Sequence, residues 1–529
     1  MASNVDSAGA SQPPYYVARS DICVSGNERR VGNGMFASRD FEAGTLIFAL
    51  KRPLVGVLDT KALQNTCGNC YASAQGTSDG STMFLDRSIQ VSACVGCKYY
   101  RYCSKVCQKK AWQRVHKHEC KILKELNGRV LPPAVQATME ILIRRKHGLI
   151  TEQQWQMLCA LQAHSLELKQ NGKYNDIGLM AMGALNFSRT QDTYTIDFVE
   201  QMYSRVLTNS LTLVTPTYDP IGLVMDERIA NINHSCDPNA YIVMDGPEIA
   251  VRALKPVQKD EEIYISYIDA TLPYARRQAE LKSHWFFTCR CIKCQKGTTT
   301  SEEAWATDPH DLSHEWKRKG TALLTKDLAT DARNYVGESQ DERIVAALQG
   351  WVFDTYQTQQ RMSGAEAIKC IQDCMQDCHN SRLWPVYRQP FAALRDDLIV
   401  NMLSEQKYAS AWPHCAKRYR DILPELYPQV AHPIRVIQVW QTALLAMYLA
   451  GEKEFVMEGA DMCIIGLMLV KEVQGLCVLS HGETSAFTTS VRRKYEEVLG
   501  GLGPGVSITD SQMKEQREML FKMADSVAY

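Results

Sequence analysis

Residues 231–239 run Asn-Ile-Asn-His-Ser-Cys-Asp-Pro-Asn, and residues 261–267 run Glu-Glu-Ile-Tyr-Ile-Ser-Tyr. The first stretch joins an Asn-His pair, Asn233 and His234, to a cysteine, Cys236. The second alternates as a strand does and delivers one tyrosine, Tyr267, 33 residues after His234. Shortly afterwards come Cys289, Cys291 and Cys294, spaced C-x-C-x-x-C. One distant cysteine and a tight triplet make four thiolates, the donor set of a closed tetrahedral structural zinc site. Such an ion would staple the segment after Tyr267 onto the loop around His234.

Working outward, a second group of ligands lies nearer the N-terminus. Cys67-x-x-Cys70, Cys94-x-x-Cys97, Cys103-x-x-x-Cys107 and His116-x-x-x-Cys120 are eight ligands in four pairs, enough for two tetrahedral sites. Spacings of two or three residues let one turn present both ligands to one ion. His118 is a rival to His116. The chain has 19 cysteines, and structural disulfides rarely persist in an intracellular protein, so metal binding explains the 11 in these groups better than oxidation does. Cys370, Cys374 and Cys378 fall at i, i+4 and i+8 and are read as a buried stripe on a helix, a third metal cluster being the alternative.

Composition sets the outer bounds. Lys plus Arg and Asp plus Glu are both 59, so no global field steers the 529-residue chain to nucleic acid or membrane. The N-terminal Met-Ala-Ser-Asn-Val-Asp-Ser lacks a signal peptide's apolar core, and a soluble intracellular protein of several domains is expected. The stretch Val436–Ala450 is interrupted by Gln438, Gln441 and Thr442 and is expected to be a buried helix, not a membrane span.

The two clusters together carry a resemblance. The first, with Tyr102-Cys103, Gln108, Trp112 and Glu119-Cys120, looks like a MYND finger; the second resembles a SET domain with its post-SET zinc. A first SET fragment should then precede Cys67. Gly32-Asn33-Gly34-Met35-Phe36-Ala37, followed after Ser-Arg-Asp by Phe-Glu-Ala-Gly-Thr-Leu-Ile-Phe-Ala-Leu, supplies it. The chain thus resembles the SET and MYND domain (SMYD) family of protein-lysine methyltransferases. The fold this implies is α+β: a SET β-fold split by a zinc-binding finger, a post-SET zinc site, and an all-α tetratricopeptide-like C-terminal domain. The implied divisions are a disordered 1–14, a first SET fragment 15–66, the finger 67–120, a helical insert 121–200, the SET core 201–270, a post-SET segment 271–297 and the helical domain 298–529.

The resemblance also implies roles. Cys67, Cys70, Cys103 and Cys107 would hold one zinc, Cys94, Cys97, His116 and Cys120 a second, and Cys236, Cys289, Cys291 and Cys294 a third, all structural. S-adenosylmethionine would be the methyl donor. Gly32, Asn33 and Gly34 would cradle its amino-acid part, Asn209, Asn233 and His234 would hold its polar and adenine groups, and Phe287 would pack on the adenine. Tyr267 is the catalytic candidate and also borders the cofactor. Leu211 and Trp285 stand where the family carries aromatic and tyrosine residues of the lysine tunnel, which bears on the degree of methylation. Val31 replaces the basic residue often found before the first glycine, so that contact to the cofactor carboxylate is either missing or supplied by Arg30.

The chemistry fits these residue types. A lysine amine, with a pKa near roughly 10.4, must lose its proton before it attacks. An apolar aromatic tunnel disfavours the ammonium and aligns nitrogen, methyl and sulfur for in-line displacement. Beyond residue 300 the pattern is helix after helix, with Pro433–Ala450, Glu454–Gln474 and Glu483–Leu499 expected as antiparallel neighbours and no clean 34-residue repeat. Nine lysines and arginines between Lys98 and Glu125 face only two acids, a local cationic surface open to nucleic acid or an acidic partner. The resemblance adds proline-rich peptides as finger ligands. Two function classes are therefore carried forward: a monomeric methyltransferase acting on lysine-containing proteins in cytoplasm or nucleus, and a catalytically weak adaptor that recruits partners.

Overall fold

The protein is described from a computed structural model, over residues 13–20, 32–73, 89–171, 174–299, 302, 342–381, 384–452, 455, 458–501 and 508–529. Arg30 and Val31, singled out in the sequence, lie outside those residues.

The strands, in chain order, are β1 (Tyr15–Ser20), β2 (Gly32–Ala37), β3 (Leu46–Leu50), β4 (Val55–Leu58), β5 (Ser92–Ala93), β6 (Arg101–Tyr102), β7 (Leu211–Val214), β8 (Pro220–Met225), β9 (Asn233–His234), β10 (Ala240–Asp245), β11 (Glu248–Ala253) and β12 (Tyr264–Ile265). They form small sheets rather than one large one. β1 pairs with β2, β11 sits between β10 and β3, β8 sits between β4 and β7, and β12 runs parallel to β9. β3 and β4 precede the finger and their partners follow it by more than a hundred residues, so the N-terminal fragment and the later strands share one core. Met35, Ile47, Val251, Ala253, Ile263 and Ile265 are all buried in it.

Between the two strand groups stand the finger and a helical insert. Helix Pro133–Lys146 buries every residue from Ala134 to Ile143 because it is covered on several sides. Tyr99 donates to Gln136 Oε1 at 3.1 Å, and Gln136 Nε2 in turn bonds Tyr100, fastening the finger to this helix. Helix Ile196–Asn209 starts at Thr195, whose side chain accepts from Phe198 N, and buries Val199, Met202, Tyr203 and Val206 on one stripe.

From Glu342 onward all described elements are helical. Pro433–Ala450 is the buried helix foreseen, but Met462–His481 is the more apolar one, and among the described residues it is the helix whose length and composition would suffice to cross a membrane. Its apolarity has a structural explanation: it packs between Pro433–Ala450 and Ala486–Gly501 in the largest core of the chain. It begins eight residues later than expected because Asp461 caps it, accepting from Cys463 N at 2.9 Å and Ile464 N at 3.2 Å. Of the expected buried stripe, Cys374 and Cys378 lie buried in the helical core and Cys370 is only half-buried; none joins a metal-ligand cluster among the described residues.

The C-terminal end of Met462–His481 is gripped by the strand core. Tyr241 of β10 donates to Leu479 O at 2.9 Å and Ser480 O at 2.7 Å. Arg252 of β11 donates from Nη2 to Gly44 O at 2.6 Å and Val478 O at 3.2 Å, and from Nε to Leu479 O at 3.3 Å. These groups satisfy carbonyls that a helix end leaves open, and the cation complements the negative end of the dipole. On another side Gln389 Nε2 donates to Thr271 Oγ1 at 2.8 Å and the Arg276 guanidinium lies 3.5 Å from the Phe353 ring centroid. Between these contacts the helices and the strand core enclose an open cavity of about 860 Å³.

Candidate active site and metal centres

The three ligand groups assemble in the sets that the resemblance implies. Cys67, Cys70, Cys103 and Cys107 form one, Cys94, Cys97, His116 and Cys120 a second, and Cys236, Cys289, Cys291 and Cys294 a third, each with its donor atoms within 4.8 Å of one another. A tetrahedral ion with zinc–sulfur bonds of about 2.3 Å places its sulfurs about 3.8 Å apart. Here Cys70 and Cys103 are 3.6 Å apart, Cys94 and Cys120 4.0 Å, Cys236 and Cys289 4.0 Å, and Cys236 and Cys294 3.5 Å. These separations fit a shared metal and are far too long for disulfides, whose sulfurs lie about 2.05 Å apart.

Geometry also decides between the two histidines. His116 Nε2 lies 3.4 Å from Cys94 Sγ and 3.6 Å from Cys97 Sγ, while its Nδ1 is 3.1 Å from Glu119 Oε1. A carboxylate on the far nitrogen fixes the tautomer that leaves Nε2 free to ligate. His118 faces away and stacks on His147, with ring centroids 3.7 Å apart. Around the third group, Arg277 is fully buried and pairs with Glu302 at 2.9 Å, and Glu302 reaches Lys293 at 3.0 Å. A buried cation beside four thiolates offsets part of their charge.

The residues assigned to cofactor and catalysis converge on the other side of the third group. β9 and β12 run parallel, Asn233 opposite Tyr264 and His234 opposite Ile265. His234 Nδ1 accepts from Tyr267 N at 2.9 Å, so its proton sits on Nε2, 3.2 Å from Cys236 Sγ. Burial pushes this imidazole down to about 4, which keeps it neutral and able to accept. Tyr267 donates its hydroxyl to Ile232 O at 2.6 Å. Its ring lies 5.3 Å from His234 and 5.4 Å from Trp285, and Phe287 lies 6.0 Å from His234. The zinc staple, the histidine and the aromatic wall therefore share atoms: Cys236 touches His234, and Phe287 precedes Cys289 by two residues. Leu211 lines the large cavity together with Ile265, Ser266 and Ile268, the neighbours of Tyr267.

The Asn209 amide nitrogen is engaged within the chain. This Nδ2 donates to Gln162 O and Arg205 O, both at 2.9 Å, so the amide closes its own helix and holds the 161–164 loop. Arg205 Nε donates to Leu161 O at 3.0 Å and Thr208 Oγ1 to Gln162 O at 3.2 Å, completing the stitch. The loop brings Gln162 beside Gly32, and His164, at a φ of 50°, lays its ring 5.3 Å from Phe286, itself at a φ of 62°. Two non-glycine residues in the left-handed region meeting at one spot mark strain held by surrounding structure. Sequence reasoning placed this segment in a helical insert and gave it no part in the site; nothing in Leu161–His164 distinguishes it from any other break between helices.

Glu262 is a second residue that the sequence did not reveal. In an alternating strand it lies opposite in parity to Ile263, Ile265 and Tyr267, hence on the face expected to meet solvent, yet it is 8% exposed. Its Oε2 accepts from Ser20 at 2.8 Å and Tyr264 at 2.6 Å, and its Oε1 accepts from Asn233 Nδ2 at 2.7 Å. A side chain on Gly34 would lie 2.1 Å from that Oε1, whereas one on Gly32 would come no nearer than 3.9 Å to Gln162 Nε2. The two glycines thus do different work. Gly34 makes room for the buried carboxylate, and a side chain on Gly32 would make only ordinary van der Waals contact with the described residues.

Comparison with known proteins follows this division. A family model described as the SET domain matches residues 32–268, from the first glycine to the residue after Tyr267. Over these residues the chain carries a SET-domain fold. The "SET domain and MYND-type zinc finger protein 6" of Schizosaccharomyces pombe is 30% identical over 275 residues, 51% of this chain and 51% of that protein. Human "Histone-lysine N-methyltransferase SMYD3" is 28% identical over 271 residues, 50% of this chain and 59% of its own length. "Histone-lysine N-methyltransferase ASHR1" of Arabidopsis thaliana is 23% identical over 511 residues, 90% and 95% of the two chains. The chain spans about half to three-fifths of the length of the first two.

Within the SET domain the asymmetry between the glycines is testable without any ligand. Gly34→Ala should destabilise the cofactor-free protein by about 1–3 kcal/mol through overpacking against Glu262, and Gly32→Ala should leave its calorimetric unfolding close to wild type. Equal unfolding profiles for the two variants would show that the Glu262 carboxylate is not fixed against Gly34.

Proposed function

We propose that the protein is an S-adenosylmethionine-dependent protein-lysine N-methyltransferase. The observation that carries this reading is the meeting of Asn233, His234, Tyr267 and Phe287 with the Gly32–Gly34 strand at one place, next to an open cleft. Asn233 Nδ2 also donates to Asn33 O at 3.0 Å, so the two halves of the split domain are joined at the point where a ligand would enter. Asn33 is exposed, and Gly32 and Asn233 are half-buried. A polar rim with a glycine and an aromatic wall suits a nucleoside joined to an amino acid. When bound, S-adenosylmethionine supplies a methyl group on a sulfonium that needs no activation.

The residues of this chain do the rest. Tyr267 is held from both ends, its amide by His234 and its hydroxyl by Ile232, with its ring 5.4 Å from that of Trp285. The phenol oxygen still has acceptor capacity toward an incoming amine, and the tryptophan face favours a methylated ammonium. Desolvation among Leu211, Tyr267 and Trp285 lowers the pKa of a lysine amine, and the cleft lets an extended peptide reach it. The three zinc groups are structural: every ligand position is filled by the chain. Label transfer from S-adenosylmethionine to a lysine-rich protein mixture, wild type against Tyr267→Phe, tests the assignment. The variant should lose roughly 10²-fold or more of its rate, and undiminished transfer would remove Tyr267 from the reacting centre.

The finger offers a separate contact surface. Val95 is 90% exposed, Val106 63% and Trp112 45%, among Lys98, Lys105, Lys109 and Lys110. An apolar patch bordered by ammonium groups suits a proline-rich peptide with acidic residues. Titration of such a peptide should change Trp112 fluorescence in wild type and not in Trp112→Ala. An identical response from both proteins would place the peptide elsewhere.

A further inference from the structure

The Glu262 carboxylate is the one feature of the pocket that the proposed reaction leaves without a role. It is buried, and among the described residues no lysine, arginine or histidine pairs with it. A carboxylate taken out of water without a cation is costly and persists only where donors replace the lost hydration. Here the donors come from three strands that border the pocket: Ser20 from β1, Asn233 from β9 and Tyr264 from β12. β2 contributes Gly34, whose missing side chain gives the carboxylate its space. An apolar residue would fill the same volume at less cost, so packing alone does not account for the acid.

What the carboxylate does to Asn233 follows from counting hydrogens. The Asn233 amide has two N–H bonds. Nδ2 donates to Glu262 Oε1 at 2.7 Å and to Asn33 O at 3.0 Å, so both N–H bonds have partners. The amide cannot flip without turning its carbonyl toward two acceptors. Its Oδ1 is therefore the atom available to a ligand, and it can only accept. We infer that Glu262 is a positioning residue for the cofactor: by accepting from Asn233 it holds that amide with its oxygen turned toward an N–H donor of the ligand. Glu262 need not touch the ligand itself. The inference rests on the cofactor reading given above.

The experiment is calorimetric binding of S-adenosylhomocysteine to the full chain, with thermal unfolding of every variant recorded alongside. Glu262→Met fills the volume without offering a side-chain oxygen, and Glu262→Gln restores an acceptor at Oε1 without the charge. Glu262→Met should weaken binding roughly 10- to 100-fold, and Glu262→Gln should recover most of that loss. Introduced into an Asn233→Ala background, Glu262→Met should add less than about threefold, since the two residues act as one unit. If the losses multiply, or if Gln is as damaging as Met, the positioning role is overturned and the carboxylate acts through its charge or through the fold. Should the methionine variant not fold, the comparison of Glu262→Gln with wild type, alone and with Asn233→Ala, keeps the question open to refutation: a large loss with Gln overturns the inference. Wild type that binds no S-adenosylhomocysteine would overturn the cofactor reading and this inference together, whereas binding with multiplied losses would overturn this inference alone.

Discussion

Four thiolates drawn from two separated segments hold the site together. Cys236 lies in the loop after β9, and Cys289, Cys291 and Cys294 lie beyond helix Tyr274–Trp285. Hydrogen bonds alone would have to close that long loop against its conformational entropy, and the parallel pair β9–β12 is only two residues long on each strand. A shared metal supplies the missing closure, because binding energy at such a site is folding energy. The consequences pass directly into the pocket. Cys236 is in contact with His234, His234 accepts from the Tyr267 amide, and Phe287 is carried in by the same segment that carries Cys289.

A second level of order comes from buried polar groups whose partners lie far away in sequence. Asn239 donates to Glu262 O at 2.9 Å and accepts from Tyr264 N at 2.8 Å, so the last residue of the Asn-His-Ser-Cys-Asp-Pro-Asn stretch brackets the strand that ends at Tyr267. Asn233 ties that same stretch to β2. Arg252 and Tyr241 carry the order outward, using a guanidinium and a phenol to seat the end of a helix more than two hundred residues distant. Each is a satisfied network, which is what makes burial of such groups tolerable and their geometry specific.

The sequence was most legible where chemistry demands fixed spacing. Cysteines two or three residues apart marked out the ligand pairs, the resemblance supplied their grouping and the choice of His116, and the same twelve residues lie together in three clusters. The strand Glu248–Ala253 keeps Ile249, Val251 and Ala253 buried on one face, the alternation a strand needs, whereas Ala240–Asp245 is apolar and buried on both faces and its sequence does not alternate. Legibility failed where the cause lies in distant partners. Glu262 occupies the parity of a solvent-facing residue, and only Ser20, Asn233 and Gly34 explain its burial. The 161–164 loop is defined by donors on a helix some forty residues later. Helix Met462–His481 starts after Gly459, at a φ of 77°, and the capping Asp461, two local breaks inside the stretch expected to be helical. In the pair Gly32 and Gly34, the motif was legible but the division of labour was not.

The claim on which the rest depends is that three closed metal centres, with eleven sulfurs and one nitrogen between them, organise the split domain. Metal analysis of the purified chain combined with X-ray absorption at the zinc edge tests it most directly. The account predicts three zinc ions per chain and an average first shell of sulfur with about one-twelfth nitrogen, at zinc–sulfur distances of about 2.3 Å. Fewer than three ions, oxygen in the first shell, or a sulfur–sulfur signal from disulfides would contradict it.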